Sequence, residues 1–175
     1  KASQWNETLN GKTARQIFKS SGKRWFFDCD TCHHTFDIPL NHVKNGLWCN
    51  FCTNRRLCQD DECVSCYNKS FASHEKAVFW NSDKNGTVTP RQVFKTDYKS
   101  NYVFDCKVCN HSFERTLVSV NRGLWCPYCQ NKLCESDDCT YCFERSFAGS
   151  ERANCWAECN DVSPRSISKS SNRKF

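Results

Sequence analysis

A chain of 175 residues with 38% hydrophobic residues, a mean hydropathy of −0.75 and a net charge of +6 is too polar to rest on one large apolar core. No apolar run approaches the ~20 residues that a membrane span needs. Sixteen cysteines in that length leave a disulfide scaffold or a set of small metal-stapled modules.

In chain order, Thr13 reads as the N-cap of a short helix, and residues 24–28, rich in aromatics, read as a strand. The strand runs into a knuckle at Cys29 and Cys32, and a return strand carries Phe36 and Ile38. A short helix over residues 40–44 closes at Gly46 ahead of Cys49 and Cys52. Cys58, Cys63 and Cys66 follow in an acidic turn. A last helix is expected from near Ser73, carrying Phe79 and Trp80 onward.

The pattern then repeats. Thr89 and Pro90 restart the short helix, residues 102–105 form the strand, and Phe113 and Glu114 lie on the return strand. Cys106, Cys109, Cys126 and Cys129 follow their first-copy partners by 77 residues, and Cys134, Cys139 and Cys142 follow theirs by 76. Trp5-Asn6 matches Trp80-Asn81, Gly46-Leu47-Trp48-Cys49 matches Gly123-Leu124-Trp125-Cys126, and Ser70-Phe71-Ala72 matches Ser146-Phe147-Ala148. Trp156 and Ser163-Pro164-Arg165-Ser166-Ile167 begin the pattern again. The expected division is a first zinc repeat over 1–78, a second over 79–154 and the start of a third, incomplete one over 155–175.

Two C-x-x-C pairs close a tetrahedral shell around one Zn²⁺, so Cys29, Cys32, Cys49 and Cys52 have zinc spacing, as do Cys106, Cys109, Cys126 and Cys129. That spacing favours metal over disulfides and implies a reducing, intracellular compartment. Cys58, Cys63 and Cys66 supply three thiolates, and Cys134, Cys139 and Cys142 do the same. The histidine present at one place in both copies is His34, matched by His111. Seven cysteines and one histidine per repeat suit two zinc ions, about four per chain, with one all-cysteine site and one of three cysteines and a histidine. A sequential and an interleaved sharing of the ligands both satisfy the count. Cys155 and Cys159 fall outside the matching sets and read as free thiols, and His33, His42 and His74 as surface residues.

These elements, Trp125-Cys126-Pro127-Tyr128-Cys129 and His111-Ser112-Phe113 above all, resemble the probable zinc-ribbon domain, a treble-clef-like zinc finger found in tandem arrays. The segment from Leu133 to Ala148 resembles versions from large DNA viruses of amoebae, which would place the chain in a host cytoplasm or nucleus, or in a virion. The resemblance implies a small metal-stabilised α+β fold of short β-hairpins and short helices. It also implies a ligand set of three cysteines and a histidine in simpler members. Here both Cys32 and His34 are present, so which of them joins the first ion stays open. The first copy departs from the motif at Asn50, where proline is expected.

Four protein ligands per ion leave no open coordination position, and no Ser-His-Asp or paired-carboxylate constellation stands out, so catalysis is not expected. Basic residues precede each knuckle: Arg15, Lys19, Lys23 and Arg24; Arg91, Lys95 and Lys99; Arg165 and Lys169. With Trp25 and Tyr102 nearby they suit phosphate contact and base stacking, so nucleic acid, DNA or RNA, is the expected partner. The alternative is a protein-interaction or structural array, motivated by the acidic turns Asp60-Asp61-Glu62 and Glu135, Asp137 and Asp138. No membrane and no small-molecule substrate is expected.

Overall fold

A computed structural model describes Lys1–Lys174. Phe175, the last residue of the span assigned to the third repeat, lies outside the described residues. The chain forms two compact units: Lys1–Ala77 with Val88–Lys95, and Val78–Thr87 with Thr96 onward.

The first unit starts with helix α1 (Glu7–Asn10), capped by Asn6, whose side chain accepts from the Leu9 amide at 2.8 Å. The same Asn6 donates to the Asp28 carboxylate, which also accepts from the Thr35 hydroxyl at 2.7 Å. Strands β1 (Arg24–Asp28) and β2 (Thr35–Pro39) pair antiparallel with Phe27 opposite Phe36. Alternation along β1 sends Trp25 and Phe27 inward and leaves Arg24, Phe26 and Asp28 exposed. Asn10 extends the sheet edge: its side chain accepts from the Phe26 amide and donates to the Phe26 carbonyl. Helix α2 (Leu40–Lys44) follows, and Gly46 makes the left-handed turn (φ +82°) that sends the chain into the second cysteine pair.

Around this frame Trp5, Trp25, Phe27, Phe36, Ile38 and Phe51 form one small core with the buried cysteines. The Trp5 and Trp25 rings lie 5.2 Å apart, and the Trp5 indole donates to the Lys12 carbonyl. Trp48 packs edge-on to Phe27 and Phe36 at 5.1 and 4.9 Å. Trp25 is therefore core, not the stacking surface expected near the basic segment.

The second unit repeats the design with β3 (Asn101–Asp105), β4 (Ser112–Thr116) and α4 (Leu117–Asn121). Phe104 faces Phe113, Asn81 holds Asp105, and Asn85 bonds both main-chain groups of Val103. Bonds from Asn81 and Ser112 hold the Asp105 carboxyl below its usual range. Trp125 packs on Phe104, Phe113 and Phe79.

Two local expectations need correction. The helices that matter to the third group of cysteines are six residues long, Val64–Lys69 and Thr140–Arg145, here called α3 and α5. The helix expected from near Ser73 is instead two 3₁₀ turns, Phe71–Ser73 and Glu75–Phe79. The short helices at Thr13 and Thr89 are likewise single 3₁₀ turns, each held by a capping box with Gln16 or Gln92. Among the described residues no helix is long and apolar enough to cross a membrane.

Candidate metal centres

The hairpin turn sets the first ligands. The Cys29 amide donates to the His34 carbonyl at 3.0 Å, and the His33 amide donates back to the Cys29 carbonyl at 2.9 Å. His33 takes the left-handed conformation this knuckle requires (φ 58°), and Asn110 takes it in the second unit (φ 54°). His33 therefore has a backbone role that its exposed ring does not announce.

The sulfurs of Cys29 and Cys52 lie 3.5 Å apart, as do those of Cys32 and Cys49. Cys106–Cys129 and Cys109–Cys126 match at 3.6 and 3.4 Å. A zinc–sulfur bond of about 2.3 Å in a tetrahedron implies a sulfur–sulfur edge of about 3.8 Å, so both groups fit one ion each.

The remaining thiols close around the histidines. His34, Cys58, Cys63 and Cys66 form one group and His111, Cys134, Cys139 and Cys142 the other; in each of the four tetrads the donor atoms all lie within 4.8 Å of one another. His34 Nε2 lies 3.3 Å from Cys63 and 3.5 Å from Cys66, and His111 Nε2 lies 3.4 and 3.5 Å from its pair. A mixed edge of about 3.6 Å follows from zinc–nitrogen and zinc–sulfur bond lengths, so these groups fit as well. The four tetrads are able to bind zinc, consistent with about four ions per chain. Cys32 belongs to the all-cysteine group and His34 to the other, which resolves the sharing that spacing left open.

Local structure explains the division. Cys63 is the N-cap of α3 and Cys66 lies one turn inside it, so both thiols point to one side of the helix start. His34 directly follows the left-handed His33 of the knuckle. Its ring stacks on Phe51 at 4.1 Å, and His111 stacks on Tyr128 at 4.2 Å. Nδ1 of each histidine is buried without a hydrogen-bond partner, so packing rather than an acceptor orients the ring.

The thiols are electrostatically unequal. Burial pushes Cys58 up, but bonds from His34, Arg91 and the Asp60 backbone outweigh it and bring the thiol down to about 6; Cys134 also falls to about 6. Burial holds Cys49, Cys66 and Cys142 up at about 11.

The basic residues divide. Arg91 turns inward: its guanidinium donates to the Asp60 carbonyl at 2.6 Å and lies 3.5 Å from Cys58 Sγ. Arg165 does the same to the Ser136 carbonyl at 2.6 Å and Cys134 Sγ at 3.7 Å. Arg24 pairs with Asp37, and Lys169 donates to the Gly149 carbonyl. Arg15, Lys19, Lys23 and Lys99 are exposed, and Lys95 is half-buried. Cys155 and Cys159 are exposed and belong to no tetrad. Sequence reasoning did not assign Arg91 and Arg165 to the metal centres. Their recurrence at one place in the repeat was visible, but not the direction of their side chains.

Residues 77–132 match the family described as the probable treble clef zinc finger domain. The same hairpin, cysteine pairs and histidine recur in the first unit. Over 177 aligned positions the chain is 34% identical to an uncharacterized protein of Acanthamoeba polyphaga mimivirus, covering 97% of this chain. The chain spans 42% of that relative's length. Residues 77–132 thus match a treble-clef zinc-finger family, and Cys/His tetrads able to hold zinc occur in both units.

Proposed function

We propose that this chain is a non-catalytic, zinc-built structural array in which the segment that restarts each repeat closes the preceding Cys₃His loop, and whose surfaces serve protein partners. The observation that carries this reading is the repeated inward arginine. Arg91 and Arg165, two of the residues expected to meet phosphate, instead clamp the loop of a Cys₃His centre. Each tetrad has four protein donors, which leaves no coordination position for a substrate. The test is amide hydrogen exchange on the zinc-loaded chain. The Phe71 and Phe147 amides, bonded to the Val93 and Ile167 carbonyls, are expected to be protected. Arg91→Ala and Arg165→Ala should each release their own amide. Fast exchange at both sites in the unaltered chain would overturn the reading.

A second reading, nucleic-acid binding, is supported by the exposed Arg15, Lys19 and Lys23 in a stretch, residues 11–27, without an acidic residue. Contacts there would be to phosphate and weakly sequence-specific. Titration of labelled DNA and RNA at two salt concentrations tests it. Affinity that falls with salt and is lost on changing all three residues to Ala would favour this reading over the first.

A further inference from the structure

The segment that restarts each repeat has a fixed seat. In the first unit, the Phe71 amide donates to the Val93 carbonyl at 2.9 Å and the Lys95 amide to the Lys69 carbonyl at 3.2 Å, while Arg91 reaches the Asp60 carbonyl. In the second unit, the Phe147 amide donates to the Ile167 carbonyl at 2.7 Å and the Lys169 amide to the Arg145 carbonyl at 2.9 Å, while Arg165 reaches the Ser136 carbonyl. The Phe147 ring also stands 5.1 Å from Trp156. The receiving serines, Ser70 and Ser146, are fully buried.

Residues 13–19 are the same segment in the first repeat, and they have no such seat. Arg15 matches Arg91 and Arg165, Ile17 matches Val93 and Ile167, and Lys19 matches Lys95 and Lys169. Arg15 is exposed and Phe18 is 86% exposed. Among the described residues the Ile17 carbonyl accepts no hydrogen bond and the Lys19 amide donates none. Beside this edge lies an apolar groove of about 310 Å³ lined by Trp5, Ile17, Phe27, Leu40 and Val43. Trp5 and Ile17 are the counterparts of Trp156 and Ile167, which border the recess that Phe147 lines.

We infer that the edge at residues 15–19 and its groove are a docking site for a further zinc module of this kind. That module would place its Ser-Phe segment along Ile17 and its phenylalanine in the groove, and the loop of its Cys₃His centre would receive Arg15. Within this chain Ser70-Phe71 and Ser146-Phe147 are both engaged by the segments that follow them, so a second intact copy has no bare Ser-Phe edge to offer. The partner is therefore a module outside residues 1–175. The inference rests on the array reading above.

The test makes a bare edge in the full chain. Arg165→Glu with Ile167→Asp should release the Phe147 amide to exchange, which checks the array reading by itself. Sedimentation of the zinc-loaded proteins then checks the docking site. The unaltered chain should be monomeric. The double variant should associate head to tail, with an apparent mass that rises at least twofold with concentration, and adding Arg15→Glu and Ile17→Asp should restore the monomer. A double variant that keeps four zinc ions, exposes the Phe147 amide and stays monomeric would overturn the docking site while leaving the array reading intact. So would association indifferent to Arg15 and Ile17. If the double variant loses zinc, Ile167→Asp alone in the full chain is judged by the same two criteria.

Discussion

Replacing Arg91 by Ala removes a charge-assisted hydrogen bond of 2.6 Å to the Asp60 carbonyl and a positive group 3.5 Å from Cys58 Sγ. Hydrogen bonds to charged groups contribute about 1.5–3 kcal/mol. Arg91 is half-buried, so solvent screens part of this, and about 2 kcal/mol is the expected loss. The segment carrying Arg91 shields Cys58, so opening of that segment should become about 30-fold more frequent, at 1.4 kcal/mol per tenfold. The assay is the rate at which a thiol probe reacts with Cys58 in zinc-loaded protein, followed by mass spectrometry. Arg15→Ala is the comparator, because Arg15 is exposed and touches no metal centre. Arg91→Lys should fall between the two, since an ammonium lacks the planar fork. Equal Cys58 reactivity in Arg91→Ala and Arg15→Ala would refute the clamp.

Three further outcomes follow from the same geometry. Phe71→Ala, at a fully buried ring stacked 5.1 Å from His74, should lower stability by about 3–5 kcal/mol by denaturant unfolding with zinc present, and a loss below about 1 kcal/mol would contradict its place in the core. Gly46→Ala should cost about 1–2 kcal/mol through backbone strain alone, because φ is +82° and an added Cβ would meet nothing within 4 Å; an unchanged midpoint would contradict it. Zinc affinity should rise with pH. Cys49, Cys66 and Cys142, held up at about 11, carry protons at pH 7 that the metal must displace, and below pH 6 Cys58 and Cys134 take up protons as well and steepen the fall. Calorimetry in two buffers of different ionisation enthalpy reads the released protons, and affinity flat from pH 6 to 8 would contradict it.

The hairpins and the all-cysteine tetrads were legible because their signals are local. Two cysteines three apart form a knuckle wherever they fall, and alternation in Trp25-Phe26-Phe27 sets the strand faces. The mixed tetrads were legible only as a ligand count, because His34 and Cys63 are 29 residues apart and nothing along the chain states that α3 folds back to the knuckle. Helix α3 itself is too short to show a helical period. The connector expected as a helix from near Ser73 is instead two 3₁₀ turns, and the Phe71 amide that opens the first bonds the Val93 carbonyl rather than continuing helix α3. The recurring arginines were visible as a pattern and misleading as a surface, since a cation's spacing says nothing about which way it turns.

Each module should hold one Cys₄ and one Cys₃His zinc centre, with His34 and His111 bound through Nε2. Cadmium-113 NMR of the metal-exchanged chain distinguishes the two kinds of centre. Four resonances are predicted, two from all-sulfur centres and two from sulfur–nitrogen centres, the latter coupled to His34 and His111 and removed one at a time by His34→Ala and His111→Ala. Two resonances, or four with no coupling to either histidine, would contradict it.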